Sequence, residues 1–239
     1  MIKIGTSGGM YDHWKGPFYP KNMASDEMLP HYAQTFDTVE VNNTFYQLPS
    51  EEKVRSWQQD SPDDFLFIIK ANRYITHMKN LLEPEEPVQT LMERVEILDN
   101  QLGPILFQLP PHWNVNVERL DAFLDVLPEG QRCAFEFRDD SWYTDIVYEL
   151  LKEAAVAFCI HDHQDAPSPE RITADWIYVR FHGPRGDYGG TYPAKALEAW
   201  SEKMGRWEQD GLDIYAYFNN DMQAYAVENA RKLRDLVGT

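Results

Sequence analysis

The sequence predicts an α/β fold, namely a single (β/α)₈ barrel of the TIM type that spans residues 1–239. Eight short runs rich in β-branched and aromatic residues recur along the chain, and most of them precede a stretch with helical spacing. No long linker, repeat or low-complexity segment interrupts the series. The length of 239 residues also suits one such barrel, which commonly contains about 250 residues.

Alternating strands and helices favour a parallel sheet with right-handed crossovers, and eight repeats favour closure of that sheet. The predicted strands are residues 2–6, 38–42, 65–70, 105–109, 133–138, 156–161, 176–182 and 214–219. The predicted helices are residues 25–36, 51–60, 88–102, 117–127, 144–155, 192–209 and 222–237, with Ser25 and Thr144 as N-caps. The alternative is an open doubly wound sheet, for which the Gly-rich phosphate fingerprint is missing.

The segment between the sixth and seventh strands predicts a loop. Residues 163–175 contain Pro167 and Pro169 and lack helical spacing, so the sixth crossover is expected to be irregular. Aromatic-rich loops, in contrast, follow the first two strands and are expected at the C-terminal face of the barrel.

Composition limits the possible functions. The apolar fraction of 43% supplies a large core, and the net charge of −17 opposes contact with the phosphate backbone of nucleic acids. There is no run of about 20 apolar residues and no signal-peptide pattern, so we expect a cytoplasmic protein without membrane contact. Cys133 and Cys159 stand in separate apolar runs, which predicts buried free thiols. The oligomeric state stays open.

Polar residues of one parity gather where the predicted strands end. Residues two apart share a face of a strand, and in a barrel one face points at the axis. The residues selected in this way are Glu40, Asn42, Lys70, Gln108, Glu136, Arg138, Arg180, His182 and Asn219. Functional residues of such barrels lie at the C-terminal ends of the strands, so these side chains are expected to converge in one pocket.

The charged members of this set suggest an anionic ligand. Lys70, Arg138, Arg180 and His182 would form a local cationic patch, and arginine and lysine bind phosphate, phosphodiester or carboxylate groups. The structural alternative is that the Glu and Arg side chains form ion pairs that fill the barrel interior.

Three residues are candidates for catalysis. Glu40 and Glu136 lie on different strands and are predicted as an acid and base pair, and His182 is predicted as the general acid. His77, on a loop after Lys70, is a candidate ligand contact. No cofactor is predicted.

A divalent metal is a further possibility. Asp162 and Asp221 could supply oxygen ligands together with the glutamates, although no HExxH or equivalent cluster occurs.

Aromatic residues in the loops could cover the ligand. Tyr11, Trp14, Tyr46 and Trp142 are predicted to wall the cleft and to stack on a sugar or a base. The alternative is that they only plug the mouth of the barrel.

Eight motifs, taken in order, resemble the YecE-like family, known as domain of unknown function 72. They are GTSG at residues 5–8, W-x-G-x-FYP at 14–20, TVEVNNTFYQLP at 38–49, K-x-x-R-x-x-TH at 70–77, LFQLPP at 106–111, EFR-x-x-SW at 136–142, TAD-x-x-YVRFHG at 173–183 and YFNND at 217–221. The resemblance covers nearly the whole chain and implies a TIM barrel without a settled activity. Gly9 stands where the family usually has Trp, and Asp139 and Asp140 replace the usual His-Pro pair.

Three functional hypotheses follow. The first is an enzyme, either a hydrolase or an isomerase or lyase, that binds a small anionic substrate through Lys70, Arg138 and Arg180. The second is a nucleic-acid-binding or phosphodiester-processing protein, by fold-level analogy with endonuclease IV, which the net charge opposes. The third is a protein that binds a ligand without turning it over.

Overall fold

The computed structural model describes residues 1–163, 167–185 and 188–238. Its eight strands are β1 (Ile2–Thr6), β2 (Thr38–Val41), β3 (Leu66–Lys70), β4 (Leu102–Gln108), β5 (Cys133–Glu136), β6 (Ala157–His161), β7 (Trp176–Phe181) and β8 (Asp213–Phe218). From β2 to β8 each strand pairs in parallel with the next along the chain, and β8 pairs in parallel with β1. The predicted α/β barrel is therefore confirmed.

Helices follow most strands and pack on the outside. The α-helices are α1 (Met28–Tyr32), α2 (Asn43–Tyr46), α3 (Glu51–Gln59), α4 (Glu85–Val95), α5 (Val117–Leu124), α6 (Asp145–Glu153), α7 (Ala194–Gln209) and α8 (Tyr225–Val237). The Thr144 hydroxyl accepts from the backbone amide of Val147, as expected of an N-cap. Ser25 makes no such cap, because it lies inside a 3₁₀ turn that precedes α1.

Two predicted helices are interrupted. The helix predicted over residues 88–102 ends at Val95, continues as a 3₁₀ segment and breaks at Asp99, where φ is 51°. The helix predicted over residues 222–237 begins as α8 only at Tyr225, because Gln223 and Ala224 both have positive φ. Sequence periodicity does not report such backbone reversals, which leave the helical region of conformational space.

The sixth crossover is irregular, as predicted. Between β6 and β7 the described residues form no helix. Side-chain hydroxyls fasten this segment instead: Thr173 accepts from the backbone amide of Phe158 at 2.8 Å, and Ser168 accepts from that of His161 at 2.8 Å.

A tyrosine hydroxyl completes the closure between β1 and β2. These strands meet through one bridge between Ser7 and Glu40, whereas the other neighbouring strands form longer ladders. The hydroxyl of Tyr32, from α1, accepts from the amide of Thr6 at 3.1 Å and donates to the carbonyl of Thr38 at 3.2 Å. Tyr32 thus satisfies two backbone groups that no direct strand pairing satisfies.

The core divides by strand parity. One buried cluster lies inside the barrel, and its members on the strands are Ile68, Leu106, Ala134, Ala157, Cys159, Trp176, Tyr178, Tyr215 and Tyr217. Residues of the other parity, such as Val39, Phe135 and Val179, belong to the larger cluster between sheet and helices. Both cysteines are buried and free, as predicted. Within the described residues no helix is long and apolar enough to cross a membrane.

Candidate functional site

A fully buried arginine joins two fully buried glutamates across the barrel axis. Arg180 on β7 donates from Nη2 to Glu40 Oε1 at 2.7 Å and from Nη1 to Glu136 Oε2 at 2.6 Å. Its Nε donates to Glu40 Oε2 at 2.9 Å, and Nη2 also donates to the Ser7 hydroxyl at 2.9 Å. The Tyr178 hydroxyl donates to Glu40 Oε2 at 2.7 Å. The prediction that Arg180 contacts a ligand is wrong for this conformation, because its guanidinium is enclosed by the barrel's own side chains.

Glu136 binds a second arginine nearer the mouth of the barrel. Arg138 Nε donates to Glu136 Oε1, and the Arg138 side chain is 8% exposed. Burial alone would raise the pKa of Glu136, but Arg138 and Arg180 more than offset it and hold that pKa well below its usual 4.5. Glu136 is therefore a firmly ionised carboxylate, which makes it a weak base.

Glu40 is enclosed in the same way. Both of its oxygens accept hydrogen bonds, from Ser7 and Arg180 at one and from Tyr178 and Arg180 at the other. Neither glutamate has a solvent-exposed side chain. The structure brings the predicted acid and base pair together around Arg180, but both carboxylates are fully buried.

His182 is brought into the same network but does not suit the predicted role of general acid. Its Nε2 lies 3.2 Å from Arg138 Nη2 and 3.4 Å from Glu136 Oε1, and its Nδ1 lies 3.3 Å from Asn219 Nδ2. Burial lowers the pKa of His182 well below 6.5, and Glu136 opposes this shift only in part. The imidazole is therefore neutral near pH 7, and its ring is fully buried.

Above this network lies a cleft of about 320 Å³ at the C-terminal ends of the strands. Its lining consists of amides, tyrosines, one lysine and one aspartate: Tyr11, Asn42, Asn43, Tyr46, Lys70, Gln108, Tyr188, Asn219 and Asp221. Asn42, Lys70, Gln108, Asn219, Tyr11 and Tyr46 are all among the predicted substrate contacts. The structure brings these six together, and their contact with a substrate stays a prediction.

Lys70 carries the cationic charge of the cleft lining. Its Nζ lies 4.2 Å from the centre of the Phe45 ring. Within the described part of the chain, the ammonium has no carboxylate within 4.0 Å and no hydrogen-bond acceptor. Burial, followed by the charges of Arg180 and Arg138, lowers the pKa of Lys70 to about 7. An anion entering the cleft would stabilise its protonated form.

Two predicted aromatic walls lie in the core instead. Trp14 is fully buried, and its Nε1 donates to the carbonyl of Asp221 at 2.7 Å. Trp142 is also fully buried; it stacks on Phe137 and donates to the carbonyl of Trp113 at 2.6 Å. These predictions are wrong because each indole finds a backbone acceptor from a neighbouring loop, so that both rings anchor loops.

His77 lies in a single π-helical turn, Tyr74–Met78, directly after β3. Its ring edge packs on Phe45 with centroids 4.9 Å apart, and its Nδ1 lies 2.8 Å from the Thr76 hydroxyl. Burial, Lys70 and Arg138 lower the pKa of His77 to about 4. The neutral ring supports Phe45 beneath Lys70 and does not line the cleft.

The two predicted metal-ligand candidates, Asp162 and Asp221, contact different partners. Asp162 accepts from the backbone amide of His182 at 2.7 Å and from the Tyr192 hydroxyl at 2.5 Å, so both its oxygens hold the loop after β7. Asp221 lines the cleft, with its Oδ2 3.4 Å from His13 Nε2. No group of three acidic, histidine or cysteine side chains suitable for a metal occurs in residues 1–163, 167–185 and 188–238.

Several contributors were not predicted as site residues. Ser7 and Tyr178 complete the shell of Glu40, and both have the strand parity that points to the axis. Asn43 lines the cleft from the start of α2 and Tyr188 from the loop between β7 and α7, where strand parity does not apply. Phe45 was not among the predicted site residues, because its approach to Lys70 depends on the turn of α2.

A larger groove of about 610 Å³ lies at the opposite end of the barrel. It runs between α5 and α6 beside the start of β7 and is lined by Asp121, Asp125, Glu129, Glu153 and Asp175 among others. Functional residues in this fold occupy the C-terminal face, so the cleft beside Lys70 is the candidate site.

Comparison with known proteins supplies the family. A model described as "Protein of unknown function DUF72" matches residues 3–239. The chain belongs to the DUF72 family. The resemblance inferred from the eight sequence motifs is thereby confirmed.

This DUF72 protein is similar to two bacterial proteins of the UPF0759 group. UPF0759 protein YunF of Bacillus subtilis is 27% identical to it over 99% of this chain and 95% of its own length. UPF0759 protein YecE of Escherichia coli K12 is 32% identical over 76% of this chain and 75% of its own. The crystal structure of a DUF72 family protein from Thermotoga maritima covers all of both chains with a TM-score of 0.89 and 28% identity.

Proposed function

We propose that this DUF72 protein is an enzyme that binds a small anionic substrate, bearing a phosphate or carboxylate group, in the cleft at the C-terminal mouth of the barrel. The observation that carries the proposal is the Lys70 ammonium, which lines the cleft and has no carboxylate partner among the described residues. A half-buried cation without a counter-ion is unfavourable, and an anionic ligand relieves that cost. The cleft volume of about 320 Å³ suits a small molecule.

The neighbouring side chains suit a hydroxylated anion. The amides of Asn42, Gln108 and Asn219 offer donors and acceptors, and Tyr11 and Tyr46 offer apolar faces with polar tips. Arg138 lies behind them and holds its position through Glu136. In this proposal Glu40, Glu136 and Arg180 form the rigid floor of the site, and Lys70 is the group that meets the substrate.

The experiment measures stabilisation of the wild-type protein by sulfate and by L-lactate in thermal-shift and calorimetric titrations, with matched sodium chloride. Sulfate represents a phosphate group and lactate a carboxylate, and both keep their charge between pH 6 and 9. We expect at least one of them to bind, and Lys70→Met to weaken that binding about tenfold or more. Lys79→Met is the control, because Lys79 is partly exposed, does not line the cleft and is paired with Glu83 at 2.8 Å.

The affinity for anions should fall as the pH rises above 7. Because the pKa of Lys70 in the free protein is lowered to about 7, the ammonium is present below pH 7 and is lost as the pH rises. Anion affinity should therefore hold steady below pH 7 and fall by up to about tenfold for each pH unit above it. Equal responses of wild type and Lys70→Met to both anions would overturn the proposal.

A further inference from the structure

The Lys70 amine differs in its surroundings from the lysines that form ion pairs. Five other lysines place Nζ within 2.6 to 2.8 Å of a carboxylate oxygen: Lys3, Lys15, Lys79, Lys203 and Lys232. Lys70 instead has an aromatic face at 4.2 Å and an open cleft. Its Nζ can therefore be approached by a bound molecule without breaking an ion pair.

The two carboxylates that raise the pKa of Lys70, those of Glu40 and Glu136, already form ion pairs with arginines. Glu40 and Glu136 each bind Arg180 at 2.7 and 2.6 Å, and Glu136 also binds Arg138. Arginine side chains are effectively always charged in proteins, and the charges of Arg180 and Arg138 disfavour a proton on Lys70. Lys70 therefore lies beside two arginines whose glutamate partners are engaged in ion pairs, and burial together with the arginines outweighs the glutamates in its pKa.

An amine in such a setting is a nucleophile when it is neutral. With a pKa of about 7, about half of the Lys70 side chains are neutral at pH 7. For an ordinary lysine the neutral fraction at pH 7 is smaller by about three orders of magnitude. Lysines activated by burial and by neighbouring cations form Schiff bases with carbonyl substrates.

We propose that Lys70 is a catalytic nucleophile whose Nζ forms an imine with an aldehyde or ketone carbonyl of the small anionic substrate, such as a 2-oxo acid. This inference rests on the proposed function, since the anionic group is what brings the carbonyl to Lys70. It narrows the substrate class to anions that carry a carbonyl, and the reaction class to lyase or isomerase chemistry.

Imine formation at Lys70 proceeds by addition of the amine to the carbonyl and loss of water. The lone pair of Lys70 Nζ attacks the carbonyl carbon, and the carbonyl oxygen takes up the amine proton to give a carbinolamine. Addition of one further proton from solvent expels that oxygen as water and leaves a protonated imine. The imine nitrogen carries the positive charge that the ammonium carried, so it can still attract the carboxylate of the substrate and the face of Phe45.

Reductive trapping tests the inference on the wild-type protein, so that folding of a variant is not at issue. The protein is incubated at pH 7 with pyruvate and sodium cyanoborohydride, which donates hydride to the imine and leaves a stable secondary amine. The adduct is then located by peptide mass spectrometry. We expect labelling of Lys70 at least tenfold above that of Lys79, whose pKa is raised by its partner Glu83.

Two further compounds, L-lactate and dihydroxyacetone, distinguish imine formation at Lys70 from binding of the anionic group. L-lactate has the charge of pyruvate without its carbonyl, so it should compete with pyruvate and leave no adduct. Dihydroxyacetone has a carbonyl and no charge, so it should label Lys70 more slowly than pyruvate does.

The outcomes are distinguishable. If lactate binds through Lys70 but pyruvate labels it no more than Lys79, the imine is wrong and the anionic ligand stands. If dihydroxyacetone and pyruvate label Lys70 equally and lactate does not compete, the imine stands and the anionic ligand is wrong.

Discussion

At the scale of single residues, the site contains five charged side chains, of which four form ion pairs inside the barrel and one lines the cleft. Arg180 and Arg138 neutralise Glu40 and Glu136 inside the barrel, and Lys70 has no carboxylate partner among the residues that the structure describes. Burying an ion pair costs desolvation free energy. Removing one partner destabilises the protein strongly, because it leaves an unpaired buried charge. The four paired side chains therefore form a rigid network, whereas the protonation of Lys70 can change with pH.

Removal of the central arginine should destabilise the protein strongly. Arg180→Met leaves Glu40 without a cationic partner within the barrel and removes one of the two arginines bound to Glu136. We expect a loss of about 3–5 kcal/mol in the free energy of unfolding, measured by urea denaturation. The control is Lys232→Met, which breaks an exposed pair with Glu228 and should change stability by less than about 0.5 kcal/mol.

Glu40→Gln offers a milder version of the same measurement, since the amide keeps the size of the carboxylate. It should destabilise less than Arg180→Met does, and the two changes together should cost less than their sum. A loss below about 1 kcal/mol for Arg180→Met would contradict a tightly coupled network.

Parity was sufficient to predict which residues point at the axis, but not which of them reach solvent. Glu40, Glu136, Arg180 and Lys70 all have inward parity, and the first three are enclosed while Lys70 lines the cleft. The difference is depth along the axis: Arg180 is the register partner of the buried Tyr217, within the filled interior, and Lys70 ends its strand. Depth follows from the stagger between strands, which a single strand does not encode.

At the scale of elements, the weak point of the barrel is the junction of β1 and β2. The Tyr32 hydroxyl bridges the amide of Thr6 and the carbonyl of Thr38, and Ser7 pairs with Glu40 beyond it. Gly5 is needed here because an added Cβ would lie 2.5 Å from the carbonyl oxygen of Thr38. A side chain from a helix thus replaces a rung of the ladder.

Tyr32→Phe should loosen this junction. The change leaves the amide of Thr6 and the carbonyl of Thr38 unpaired, which should cost about 1–3 kcal/mol in unfolding free energy. Hydrogen exchange should show the Thr6 amide exchanging at least about tenfold faster. Tyr225→Phe, which removes a hydroxyl bound to Gln223 at the surface, serves as control. Unchanged protection of Thr6 would mean that the strands pair without the hydroxyl.

Element boundaries were predicted less well than element types. Every predicted strand overlaps an observed strand, whereas the helices around residues 99 and 223 stop at residues with positive φ. The predicted helix over residues 25–36 likewise splits into a 3₁₀ turn and α1. Apolar spacing continues across such reversals because the same core is covered on both sides of them.

At the scale of the whole molecule, the protein has a net charge of −17, and its cleft is lined by one lysine and one aspartate. Under the proposed function a small anion would enter the cleft to reach Lys70, whereas a polyanion would also have to approach the acidic protein as a whole. The two hypotheses of a small anionic ligand and of a nucleic acid therefore differ in what the surface allows.

We expect short single-stranded and duplex oligonucleotides not to bind. Fluorescence anisotropy at low ionic strength, where attraction between a protein cation and phosphate is strongest, is the measurement. A titration with sulfate on the same preparation confirms that the cleft is intact. Oligonucleotide binding that weakens steeply with added salt would favour the nucleic-acid hypothesis instead.

The sequence alone determined the parallel barrel, its irregular sixth crossover and the strand ends at which polar residues meet, because strand alternation and short-range propensity are local properties of the chain. Only the tertiary structure decided that Arg180, Glu40 and Glu136 neutralise one another, that Trp14 and Trp142 anchor loops, and that Lys70 faces the cleft. Those assignments depend on which side chains from distant strands and loops arrive at the same depth, and hydrogen bonding and burial are then shared among them.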